Sequence, residues 1–201
     1  MAYRIILASA SPRRKELLEQ VGAEFEIIPA VGEEIITDSS PQQAVLDLAA
    51  QKAAEVAAKV REDAIILGAD TVVAFGDKIL GKPKNEADAK QMLSLLSGKT
   101  HSVYTGVSIV VRQSGESQSY SFYEETEVTM YPLSEQQILS YIRTKEPMDK
   151  AGSYGIQGKG AVFIEKIQGD YNNVVGLPIA RVFRTLEEVC GFSVMVREIY
   201  H

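Results

Sequence analysis

The stretch Tyr3-Arg-Ile-Ile-Leu-Ala-Ser-Ala-Ser-Pro-Arg-Arg14 decides how this chain folds. Tyr3–Ala8 is apolar and β-prone and reads as a buried strand. Ser11 suits an N-cap and Pro12 the first helical position, so a helix opens there, runs to about Val21 and stops at Gly22. Phe25–Ile28 follows as a second strand. Strand, helix and strand in immediate succession point to an α/β fold. The run Ile5–Ala10 faintly resembles a signal peptide, but it is too short, and Arg13, Arg14 and Lys15 follow at once.

Outward from this start the alternation continues. Val31–Ser40 is acidic and polar, a loop, and Pro41–Val60 has the apolar spacing of a long helix. Ala64–Ala69 is a strand, and Asp70–Leu80 continues as a hairpin around Gly76-Asp77. After the Lys82–Lys84 loop, Asn85 caps a helix to Leu96, stopped by Gly98. His101–Arg112 and Ser119–Tyr131 form a hairpin through Ser114-Gly115-Glu116. Ser134–Arg143 is a short helix with a Ser-x-x-Gln capping signal. Ala151–Gly160 is a glycine-rich loop, Ala161–Ile167 a strand and Leu177–Cys190 a final amphipathic helix. The expected fold is α/β, a mixed twisted sheet flanked by helices, with an antiparallel section after His101.

Composition removes several function classes. The chain has 201 residues, 45% hydrophobic and 24% charged, with a net charge of −6. A broad nucleic-acid or anionic-membrane surface requires a basic balance, so neither partner is expected. No stretch approaches the length of a membrane span. Cys190 is the single cysteine, which suits a reducing, cytoplasmic compartment. Only His101 and His201 are histidines, so Cys/His zinc sites and Ser-His-Asp catalysis are hard to assemble. The chemistry must come from carboxylates, lysines, arginines and hydroxyls.

Arg13 and Arg14 fall in a first helical turn, where Asp or Glu is normally favoured. A bound phosphate resolves the conflict, because helix N–H groups and guanidinium forks both favour it. A solvated basic turn accounts for the same residues. Asp70 ends a strongly apolar strand, and strand C-terminal ends are where open α/β sheets hold ligands. It suits a divalent cation or a base toward water; a turn Asp satisfying backbone N–H groups is the plainer alternative. Glu33, Glu34, Lys52 and Lys82 are of the right types, the acids to share a metal and the lysines to neutralise phosphate, although singly each fits a solvated surface. Gln157, in the glycine-rich loop, carries paired donor and acceptor groups able to read a base edge. Ser97-Gly-Lys-Thr100 imitates the end of a P-loop, but Leu93 stands where the upstream glycine is required. The 152–160 loop lacks dinucleotide-binding spacing, with Phe163 at the third glycine position. Cys190, on a helix, reads as packing.

Taken together, Leu7-Ala-Ser-Ala-Ser-Pro-Arg-Arg14, Glu33-Glu34, Gly68-Ala-Asp-Thr-Val-Val73, Gly81-Lys-Pro83, Leu96-Ser-Gly98, Asp149-Lys-Ala-Gly-Ser-Tyr-Gly-Ile-Gln-Gly158 and Val174-Val-Gly-Leu-Pro178 resemble the Maf family, in order and over nearly the whole chain. The resemblance implies a nucleoside triphosphate pyrophosphatase aided by Mg²⁺ or Mn²⁺. It implies one domain over residues 1–201, elongated and two-lobed with a central cleft, and a homodimer. It gives Asp70 the role of proton acceptor, sets Ser9, Arg13, Arg14, Glu33, Lys52 and Lys82 around the triphosphate, with Glu33 and Asp70 sharing the metal, and ties Arg13, Thr71 and Gln157 to substrate choice. The Tyr-Gly-Ile-Gln-Gly form resembles the branch acting on dTTP and UTP. The branch preferring 7-methyl-GTP lacks this glutamine loop. Tyr171-Asn172-Asn173 departs into a stretch that varies in the family, and Asn173 is given no role. A nucleotide-binding regulator of septation, needing no hydrolysis, is the rival reading.

Overall fold

The computed structural model describes residues 4–33 and 40–194. Glu34 and His201 therefore lie outside the described residues. The seven strands are β1 (Arg4–Leu7), β2 (Phe25–Ile27), β3 (Ala64–Phe75), β4 (Lys78–Leu80), β5 (Thr100–Gln113), β6 (Glu116–Met130) and β7 (Ile164–Gln168). The helices are α1 (Pro12–Gln20), α2 (Pro41–Ala57), α3 (Glu86–Leu96), α4 (Glu135–Arg143), α5 (Tyr171–Val175) and α6 (Ile179–Cys190). One sheet joins the strands in the order β2-β1-β3-β5-β6-β7, with β4 paired to β3. β1 runs parallel to β2 and β3, and β4 and β7 pair antiparallel, so the sheet is mixed as expected. The β5–β6 turn has positive φ at both Ser114 and Gly115, the I′ pattern that matches strand twist.

Contacts divide the chain into two compact units. The first holds the chain up to Asp70, Thr105–Tyr123, and the chain from Gly176. Its core sets Ile6, Ala8, Ile66 and Val110 against Ala53 and Val56 of α2. Two glycines govern that packing. A Cβ on Gly68 would lie 2.3 Å from the Ala49 carbonyl oxygen, and one on Gly106 would lie 2.2 Å from that of Val45. Both distances are far inside van der Waals contact, so the α2 backbone rests directly on β3 and β5. The second unit holds Thr71–Tyr104 and Glu124–Val175. Val73 and Leu80, Leu93 and Leu96 of α3, Ile138 and Tyr141 of α4, Tyr154 and Phe163 form its core.

Four sequence expectations change. Asp70 does not end a strand: β3 runs unbroken from Ala64 to Phe75, because Val72, Val73 and Ala74 continue the buried run past it. The strand expected from Ala161 begins at Ile164, since Gly158–Phe163 winds into 3-10 turns. The long helix ends at Ala57, three residues early. The short helix α5 has no counterpart in the sequence reading.

Candidate functional site

The β1–β3 register ends at Leu7 opposite Leu67, with the Ala8 N–H donating to the Leu67 carbonyl. Ser9 and Asp70 therefore both lie just beyond the C-terminal end of this parallel pair. Asp70 thus lies at the end of a parallel pair, although its own strand continues past it. Along β3, Ile66, Gly68 and Asp70 share one face, the face that meets α2. The close approach over Gly68 brings Lys52 of α2 to Asp70. Lys52 Nζ donates to Asp70 Oδ1 at 2.5 Å, and both side chains are mostly buried, 17% and 15% exposed.

Ser9 and Arg14 form a second pair. The Ser9 hydroxyl accepts from Arg14 Nη1 at 3.0 Å and from the Ser11 N–H at 3.2 Å. Arg14 Nε donates to the Gly176 carbonyl at 2.8 Å, which fixes the guanidinium in a buried setting. Arg13 is half-buried. Ser11 is the N-cap residue of α1, with extended backbone, yet its hydroxyl makes no capping bond, and the first turn holds no acid. Three other helix starts differ: Ser40, Asn85 and Ser134 cap α2, α3 and α4 through their side chains, the last in a full capping box, whereas α6 starts at Pro178 without one. The expectation that Ser11 opens the helix holds. The expectation that it caps as a serine usually does fails: its hydroxyl makes no capping bond, while its own N–H donates to the Ser9 hydroxyl.

Glu33 is exposed. The loop before it is tethered by Glu55, one turn along α2 from Lys52. The Glu55 carboxylate accepts from the Gly32 N–H at 2.9 Å and from the Val31 N–H at 3.1 Å, and pairs with Lys59 at 2.7 Å. The Lys59 bond first, then those N–H groups, hold its carboxyl down to about 2. Sequence reasoning missed Glu55, and an i,i+4 Glu–Lys pair on a helix gives no hint of a backbone partner.

The second unit holds Thr71, Lys82 and Gln157. Thr71 is half-buried beside Asp70 in the chain, on the β3 face that carries Val73 into the core. Lys82 is exposed in a turn whose Gly81 carbonyl accepts from the Gly152 N–H at 3.1 Å. That bond ties the lysine turn to the glycine-rich loop. Gln157 is half-buried within that loop. Tyr154, also in it, bonds through its hydroxyl to His101 Nε2 at 2.7 Å. Burial holds His101 down to about 4, which leaves a neutral, packed imidazole. Asn173 is fully buried and donates to the Val103 carbonyl and the Thr126 hydroxyl, a structural role. Cys190 donates to the Leu186 carbonyl within α6, as packing requires.

No group of three or more His, Cys, Asp or Glu able to hold a metal occurs among the described residues. A closed protein cage is therefore not built from them. Magnesium-type sites are commonly completed by one or two carboxylates with substrate phosphates, and Asp70 and Glu33 are of that type. Among the described residues, no helix is long and apolar enough to cross a membrane.

Known proteins bear on this arrangement. A protein of Agathobacter rectalis named dTTP/UTP pyrophosphatase is 56% identical, covering 92% of this chain and 97% of its own. One of Bacillus cereus with the same name is 58% identical over 92% of this chain and 95% of its own. Among solved structures, a HAM1 protein from Coxiella burnetii aligns at 15% identity over 94% of this chain and 100% of its own, with a TM-score of 0.49, a likeness that carries no functional weight. The family described as Maf-like protein matches residues 4–189, and the chain belongs to that family.

Proposed function

We propose that this chain hydrolyses dTTP and UTP to the nucleoside monophosphate and pyrophosphate. The observation that carries this reading is the 56–58% identity, over nearly full length, to proteins named for that activity. The Lys52–Asp70 pair and the basic, uncapped start of α1 support it in chemical terms.

In this reading the first-turn N–H groups of α1, with Arg13 and Arg14, grip the triphosphate. Ser9 and the Gly176 carbonyl hold Arg14 in position for that contact. Asp70 accepts a proton from the water that attacks the α-phosphorus. Lys52 steers the Asp70 carboxylate through its short hydrogen bond and, with Lys82, neutralises charge on the departing pyrophosphate. Asp70 and Glu33 would hold a Mg²⁺ or Mn²⁺, which would neutralise charge at the phosphates. Gln157 reads the pyrimidine edge, and Thr71 and Arg13 contribute to the choice of nucleotide. The homodimer and the cytoplasmic setting belong to the same proposal; the lone Cys190 suits the latter.

The test is pyrophosphate release from a panel of nucleoside triphosphates, 7-methyl-GTP included, with Mg²⁺ or Mn²⁺. Release is expected first from dTTP and UTP. Binding without release would make the protein a regulator, and preference for 7-methyl-GTP would overturn the substrate assignment.

A further inference from the structure

We infer that Glu146 and Tyr141 are positioning residues that hold Gln157 in its base-reading geometry and so set nucleotide selectivity. The inference rests on the proposed role of Gln157 and deepens it. Gln157 sits in a small closed loop. A Cβ on Gly160 would lie 2.4 Å from the Gly155 carbonyl oxygen, so the two ends of the loop touch. Each side of Gln157 is fastened. Before it, the Gly155 N–H donates to the Tyr141 hydroxyl at 3.2 Å. After it, the Lys159 N–H donates to Glu146 Oε2 at 3.0 Å and the Gly160 N–H to Oε1 at 3.1 Å. The Tyr141 hydroxyl then donates to Glu146 Oε1 at 3.0 Å, closing a circuit of hydrogen bonds around the glutamine.

Glu146 does more here than a surface acid would. Burial pushes its carboxyl up, but the Lys159 and Gly160 N–H groups, the Tyr141 hydroxyl and the nearby Lys150 outweigh that and leave it below the ordinary carboxylate range. Gly158 lies against it with φ +67, where a Cβ would meet Glu146 Oε1 at 2.9 Å. The loop is thus shaped to the carboxylate, and charge-assisted bonds to backbone N–H groups are the stronger kind. A glutamine that reads a base must keep its amide in place before the base arrives, and this circuit supplies that order.

The experiment is a double-mutant cycle. The constants kcat and KM for dTTP, UTP and CTP are measured in the wild type, Glu146→Gln, Gln157→Ala and the double variant. Glu146→Gln turns one acceptor into a donor facing backbone N–H groups. It is expected to raise KM for dTTP and UTP about tenfold, with a smaller change in kcat, and to narrow the gap to CTP. In the Gln157→Ala background the same substitution should no longer alter selectivity. Tyr141→Phe removes a single hydroxyl and should shift selectivity the same way by less, which keeps the test intact should Glu146→Gln fold poorly. Independent, multiplying effects of Glu146 and Gln157 would overturn the positioning role. Unchanged selectivity in Gln157→Ala would instead overturn the base-reading premise.

Discussion

Helices α1 and α3 begin with the same outline and opposite chemistry. Asn85 accepts from the Asp88 N–H at 2.9 Å, Asp88 accepts from the Lys84 N–H, and Glu86 and Asp88 place negative charge at the positive end of α3. That start is complete in itself. At α1, Ser11 makes no side-chain cap and the first turn carries Arg13 and Arg14. The sequence that caps α2, α3 and α4 through side chains leaves the start of α1 uncapped and basic, at a local cost in stability. In the proposed function the start of α3 serves the fold and the start of α1 serves an anion.

Three substitutions break or sharpen that contrast. The largest effect is expected from Arg13→Glu, which should lower kcat/KM for dTTP by about 10²–10³, the scale of losing an electrostatic contact to a reacting phosphate. A loss of less than about tenfold, measured by pyrophosphate release, would place the triphosphate elsewhere.

The second unit should respond to acid instead. Buried His101 protonates only near pH 4, whereas in the unfolded chain it protonates near 6.5. Between these values the unfolded state binds more protons, so stability falls as pH falls, by roughly 3 kcal/mol across the window. Urea unfolding at pH 7 and pH 4.5 should show this loss, and His101→Gln should remove most of it. Glu55 and Glu146, held low in the fold, add their own losses only as pH drops below about 4.5.

Asn85→Ala should cost about 1 kcal/mol in the same urea assay while kcat/KM stays unchanged within error. The smallest effect gives the sharpest contrast. Arg13→Glu, so damaging to turnover, should change stability by less than about 1 kcal/mol, because an acid at a helix start offsets the loss of the arginine's own contact. A clear loss of stability in that variant would make Arg13 a structural residue.

Much of this was legible in the residues. The opening strand, helix and strand, the Asn85 and Ser134 caps, and the Ser114-Gly115 turn follow from local rules, and each appears where those rules put it. The hairpin around Gly76-Asp77 was legible too, but an unbroken strand through Asp70 was not. Asp is a poor strand former, and what accommodates Asp70 is Lys52, eighteen positions away on a helix that two glycines allow to approach. Glu55 and Glu146 were also invisible. Each is a charged residue whose partners are backbone N–H groups, and such partners leave no pattern in side chains. The start of α1 was half legible: the conflict of charge could be read, but the missing cap could not.

The most direct test of the account is turnover of Asp70→Asn with dTTP at saturation. The amide keeps the shape and an acceptor for Lys52, and loses the basicity. A fall in kcat of about 10²–10³ or more is expected, with the native circular dichroism spectrum retained. Turnover near that of the wild type would contradict it.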